Sequence, residues 1–196
     1  MKARAACLAF LPLSILLAQS AQAKKQPLEG YRFGLQGGVV YGTSDTFKYF
    51  SDKKMGFTIG GQVTRDLRTP LQRLRARVDL TTLPKATVRT GSGPGRLEDN
   101  TITGLAAGLD YLHFLQDGPE GLYLAGGLAV FNWKQDSSLT GATTSLNPGI
   151  AAGAGWQFNR DWSVEVRATW SRWDTNQRPV TNHNAGTLSF QVGCRF

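Results

Sequence analysis

Arg73, Arg75, Arg77 and Asp79 follow one another at every second position, Glu165 and Arg167 repeat that spacing, and Asp110 stands between the two runs. Residues two apart share a side only on an extended strand. This spacing therefore gathers guanidinium and carboxylate groups on one face. Two chemistries follow. The groups can pair with one another, which makes burying charge tolerable, or the arginines, which outnumber the acids, can hold an anion. Other reactive residues are scattered. The chain has two histidines, His113 and His183, and two cysteines, Cys7 and Cys194, and these are too far apart for metal-ligand spacing. The run Gly91-Ser92-Gly93-Pro94-Gly95 has no following Lys-Ser/Thr and no strand-to-helix setting, so it reads as a flexible loop and not a phosphate cradle.

The charged face must be carried by strands, and the rest of the chain supplies them. Tyr31, Phe33, Leu35, Val39 and Tyr41 share one face of a first segment, and Met55, Phe57, Ile59 and Val63 that of a second. Leu74, Ala76, Val78 and Leu80 alternate with the charged run in a third, and Leu105, Ala107, Leu109 and Tyr111 mark a fourth between Thr101 and His113. In the fifth, Leu122 to Trp133, the leucine face competes with Tyr123, Ala125, Phe131 and Trp133, and the leucines are read as outward. Ile150, Ala152, Ala154, Trp156 and Phe158 define a sixth; Trp162, Val164, Val166, Ala168 and Trp170 a seventh. The eighth alternates Leu188, Phe190, Val192, Cys194 and Phe196 with Ser189, Gln191, Gly193 and Arg195. A period of two in each is the mark of a strand with one greasy face. Long connections are expected at Thr43 to Lys53, Thr82 to Asp99, Lys134 to Leu146 and Ser171 to Ala185. Short ones are expected at Arg65 to Leu71, Gln116 to Glu120 and Asn159 to Asp161.

The first 23 of the 196 residues read differently. Lys2 and Arg4, an apolar run from Ala5 to Ala18 and the small-x-small site Ala21-Gln22-Ala23 predict a signal peptide (1–23) ahead of one domain, 24–196. Cys7 opens the apolar run instead of following it, which argues against a lipidated cysteine. Cleavage removes two cations and no acid from a formal charge of +8. Export makes nucleic acid the weakest partner for the basic balance. Only Cys194 remains afterwards, so no internal disulfide can form. No later stretch approaches the roughly 20 apolar residues of a helical span, so any membrane crossing must use a closed sheet.

The last strand, apolar at every second position and ending on Phe196, resembles the closing strand of bacterial outer-membrane β-barrels. The whole of 24–196 resembles the small eight-stranded barrels of the opacity-protein and adhesin-like porin group. The expected fold is thus all-β, an eight-stranded antiparallel up-and-down transmembrane β-barrel, with alternating short and long connections. A soluble lipocalin-like barrel would share the period but turn its apolar face inward. The terminal Phe, the loop asymmetry and aromatics near strand ends (Tyr31, Phe33, Tyr41, Trp156, Phe158, Trp162, Trp170, Trp173) favour the membrane version.

The resemblance implies location in the bacterial outer membrane, insertion by the barrel-assembly machinery with Phe190, Val192 and Phe196 as the terminal assembly signal, and a role in envelope integrity, adhesion or ligand contact. With no metal-ligand cluster and no phosphate cradle, no cofactor is expected. Some barrels of this size act on lipid A through a His-x-Ser-Asn pattern; His183-Asn184-Ala185-Gly186 lacks that serine, so no enzyme is expected. A narrow interior predicts that Arg73, Arg75, Arg77, Asp79, Asp110, Glu165 and Arg167 form a plugging network, with a narrow or gated channel as the alternative. Lys53, Lys54, Lys85 and Arg89 in the external loops are candidates for contact with lipopolysaccharide phosphates.

Overall fold

In the computed structural model the described residues are 30–44, 47, 55–67, 69, 71–90, 96–116, 120–138, 141–173 and 183–196. The expected signal peptide, 1–23, lies outside them. Eight strands close into one antiparallel barrel in which each pairs with its neighbours in sequence and β8 returns to β1. They are β1 (Tyr31–Gly42), β2 (Met55–Asp66), β3 (Gln72–Thr90), β4 (Arg96–Phe114), β5 (Gly121–Ser137), β6 (Gly141–Gln157), β7 (Trp162–Trp173) and β8 (His183–Arg195). Both ends of the sheet and the three short turns lie at one end. At one of these turns Gly121 adopts a φ of +106°, which a side chain would make strained.

The two faces of the sheet decide between membrane and water. Leu128 is 69% exposed, Met55 60%, Ile59 57% and Leu109 57%, while Arg75, Arg77, Asp110 and Glu165 are buried inside. An apolar exterior running round the whole barrel far exceeds the few hundred Å² that a soluble monomer leaves in water. It fits hydrocarbon, and the lipocalin-like alternative, which needs the opposite orientation, is excluded. In β5 the leucine face points outward as expected, with Tyr123, Phe131 and Trp133 inward.

The expected loops are where sequence and structure differ most. Most of Thr82–Asp99 is strand, because β3 and β4 pair beyond the barrel up to Thr90 and Arg96. Most of Lys134–Leu146 is also strand, with β5 and β6 pairing up to Ser137 and Gly141. By contrast β2 leaves β3 at Thr82, and β7 leaves β6 at Gly149. Strands β3 to β6 therefore rise as a four-stranded wall above the rest of the rim. Here inward positions such as Asn100, Gln135 and Ser145 are buried but polar, so the apolar period that reveals a strand disappears while its backbone pairing continues. Pro84 is tolerated because β3 has no partner on its β2 side there and its register with β4 shifts between Leu83 and Ala86. Similarly, β7 and β8 extend into the expected last loop, and His183 begins β8 opposite Trp173 instead of lying in a loop.

A cation on the apolar band tests the orientation. Leu128→Arg is expected to destabilise the barrel by about 2–4 kcal/mol in lipid vesicles. Thr144→Arg, on the exposed wall part of β6, is expected to cost about 0.5 kcal/mol or less. Urea unfolding measures both.

Candidate functional site

The inward positions of the strands fill the lumen in layers. At the short-turn end Leu112, Phe114, Tyr123 and Ala125 form a small apolar cluster with Leu71 against it. The Phe114 and Tyr123 rings lie 5.3 Å apart, and the Arg73 guanidinium stacks 4.8 Å above the Phe114 ring. Gly155 makes room for the tyrosine: a Cβ there would stand 2.4 Å from the Tyr123 ring.

Above this lies the charged layer, and the structure brings the predicted residues together. Arg75 donates to both acids at once, through Nε (3.0 Å) and Nη2 (2.7 Å) to Asp110 Oδ2 and through Nη1 to Glu165 Oε2 (2.6 Å). Arg77 Nε donates to the same Asp110 oxygen at 2.9 Å, and its Nη1 to Asp79. Arg167 Nε donates to Glu165 Oε1 at 2.7 Å, and its Nη1 reaches Asp79 Oδ2 at 3.3 Å. Tyr123 donates its hydroxyl to Glu165 at 2.8 Å, and Gln36 donates to Asp79. Facing strands leave space for these groups, as a Cβ on Gly127 would lie 2.2 Å from an Asp110 oxygen and one on Gly60 2.3 Å from an Asp79 oxygen.

Arg75, Arg77 and Arg167 thus face Asp79, Asp110 and Glu165, a balance of charge that the sequence count concealed. Arg73 stands apart and binds the half-exposed Asp66 (2.5 Å) and Gln157 (2.9 Å). The central layer neutralises itself, so it is not the basic anion site that the excess of arginine suggested.

Next comes a cavity of about 30 Å³ lined on one side by Arg77, Asp79 and Arg167 and on the other by Phe131 and Trp133. Gln191 and several hydroxyls complete its wall. It is polar and has room for a water molecule or two. An aromatic cap closes the far end: Trp133 lies 6.0 Å from Trp173, 6.2 Å from Phe131 and 5.4 Å from Phe47, which the β1–β2 connection delivers into the barrel. Trp133 donates Nε1–H to Ser171 at 3.0 Å. Trp173 is fully buried here and is not in the exterior girdle, so that expectation is corrected; an aromatic near a strand end looks alike in sequence whichever way it faces. Phe33, Tyr41, Trp156, Phe158, Trp162 and Trp170 are outside, as expected.

Several participants escaped the sequence reading. Tyr123, Gln36, Gln157 and Trp133 sit in the inward phase of their strands, which was the available signal. Arg195 also points inward and is buried, and Asp66 serves both Arg73 and Arg32. Of the four external cations only the Lys85 side chain lies within the description, 2.7 Å from Asp99. Lys53 and Lys54 lie outside the described residues, as does the side chain of Arg89. Lys134 likewise pairs with Asp136 at 2.9 Å, which lowers the free positive charge of the rim. Phe190, Val192 and Phe196 face outward on the closing strand. Among the described residues no group of His, Cys, Asp and Glu could hold a metal ion.

Removing one member of the charged layer should cost more than removing a matched pair. Arg75→Met leaves Asp110 and Glu165 underpaired and is expected to cost about 3–5 kcal/mol. Adding Glu165→Gln to Arg75→Met is expected to recover part of that loss. A double-mutant cycle by urea unfolding reads the coupling.

No protein-family model and no curated protein sequence matches the chain. Solved structures do. Ail, the attachment invasion locus protein of Yersinia pestis, crystallised with the heparin analogue sucrose octasulfate, is similar at a TM-score of 0.54 and 13% identity, over 85% of this chain and 97% of that one. Neisserial surface protein A is similar at 0.50 and 15% identity, over 86% and 98%. Ail in a phospholipid bilayer nanodisc gives 0.50 and 14%, over 84% and 99%. Closed barrel, apolar exterior and these likenesses agree: the chain has the fold of the small eight-stranded outer-membrane barrels.

Proposed function

We propose that the chain is exported by its signal peptide, residues 1–23, and inserted in the bacterial outer membrane as a non-conducting, non-enzymatic barrel that works through its outer surface. The observation that carries this reading is the combination of a filled lumen with a raised wall. Side chains occupy the described interior from the Phe114–Tyr123 cluster to the Trp133–Trp173 cap. Strands β3 to β6 extend well past the apolar band. Material placed beyond the membrane contributes nothing to crossing it, so its use is contact with whatever lies outside.

The contacts proposed are lipid along the girdle and lipopolysaccharide phosphates at Lys53, Lys54, Lys85 and Arg89. Cations form charge-assisted hydrogen bonds with phosphate, and for Lys85 a phosphate would compete with Asp99. Insertion by the barrel-assembly machinery through Phe190, Val192 and Phe196 belongs to the same reading. The short-turn end then faces the periplasm.

Planar bilayers containing the purified chain are expected to show no single-channel steps, and a steady conductance abolished by Arg75→Gln would establish a channel instead. Lys53→Glu with Arg89→Glu is expected to reduce binding to lipopolysaccharide-containing vesicles. Shortening the β3–β4 hairpin to the level of Leu83 and Ile102 and the β5–β6 hairpin to that of Trp133 and Ser145, which keeps the aromatic cap, should leave folding intact, read as heat-modifiable gel migration, while surface attachment is lost.

A further inference from the structure

The short-turn mouth of the lumen carries a charge that the described residues do not match. Arg73, Arg75, Arg77, Arg167 and Arg195 are buried, against the buried acids Asp79, Asp110 and Glu165. The central layer uses all three acids. At the mouth Asp66 is shared by Arg73 at 2.5 Å and Arg32 at 3.6 Å, and the exposed Asp161 of the β6–β7 turn accepts from Arg195 N at 2.7 Å with its backbone carbonyl. Arg195 is 5% exposed, its Nε has no hydrogen-bond partner, and no acid pairs with it among the described residues. The groups that face it electrostatically are Arg73, Arg32, Arg75 and Tyr123, three of them cations. Its side chain runs across Gly34, where a Cβ would meet the Arg195 Cγ at 2.8 Å, so the backbone of β1 is shaped to admit it.

A guanidinium does not lose its proton in proteins, and a buried charge without a partner is unfavourable by several kcal/mol. Such a group requires an anion. We infer that Arg195, backed by Arg73, forms a small-anion site at the short-turn mouth of the lumen, taking chloride or inorganic phosphate from the water on that side. The planar donor fork of Arg195 suits either, and the neighbouring Arg73 and Arg32 add attraction, reduced by the Asp66 carboxylate that they share. The site is separate from the central network, whose charges cancel.

The test uses the full mature chain refolded in a zwitterionic detergent, with chloride, bromide or phosphate titrated against gluconate at constant ionic strength. The unfolding midpoint should rise and saturate with each small anion, because a ligand that binds only the folded state stabilises it. Arg195→Gln is expected to abolish the response. Arg195→Lys, keeping charge but losing the fork, should weaken apparent affinity by about tenfold or more. Arg160→Gln, an exposed change at the same end, should leave it intact. Should Arg195→Gln fail to fold, chloride-35 line broadening with the wild-type chain and its displacement by bromide still decide the matter. A flat wild-type titration or an equal response in Arg195→Gln would overturn the proposal.

Discussion

Hydrocarbon supplies no hydrogen bonds, so every backbone amide that crosses it must be paired within the protein. Eight strands meet that demand by closing on themselves, and closure at this strand number leaves an interior just wide enough for side chains. The inward polar face is then packed as tightly as an ordinary core, without being apolar. Arg75 illustrates the result: it bridges Asp110 and Glu165 and ties β3, β4 and β7 across the lumen. Glycines on facing strands are part of the same packing, since Gly127 and Gly60 lie where the acid oxygens need space.

The filled interior and the greasy exterior are two outcomes of one alternation, and together they leave surface contact as the remaining outlet for function. The aromatic cap closes the interior from the outside through Trp133, Trp173 and Phe47, and the polar cavity beneath it lies between cap and charge. Such a barrel is a rigid mount. What it holds up is the wall of β3 to β6, whose inner side near the rim is covered by the same aromatic cap.

Much of this was legible in the residues. Period two identified all eight strands, and the spacing of Arg73 through Asp79 placed four charged groups on one face. The orientation of β5 followed from its leucines. What the chain could not disclose depends on three dimensions. Trp173 and Trp170 differ by three positions and therefore point to opposite faces, yet both read as end-of-strand aromatics. The upper hairpins lost their pattern because their buried inward positions, Asn100, Gln135 and Ser145 among them, are polar. Pairing of charge across the lumen joins residues as far apart as Arg75 and Glu165, so neither the balance of the central layer nor the lack of an acid paired with Arg195 among the described residues could be counted from composition.

The uneven strand lengths also bear on how the ring is completed. Strands β3 to β6 zip along extended registers through short local connections, from Gln72 to Thr90 and from Gly121 to Ser137. The seam between first and last strands has a register reaching only from Gly34 to Gly42, and it joins the two most distant parts of the sequence. Tall hairpins can form locally before the ends meet, while the seam pays the largest loop-closure entropy for one of the shortest ladders. The low side of the rim is thus where the circle shuts last and where it would part first under load.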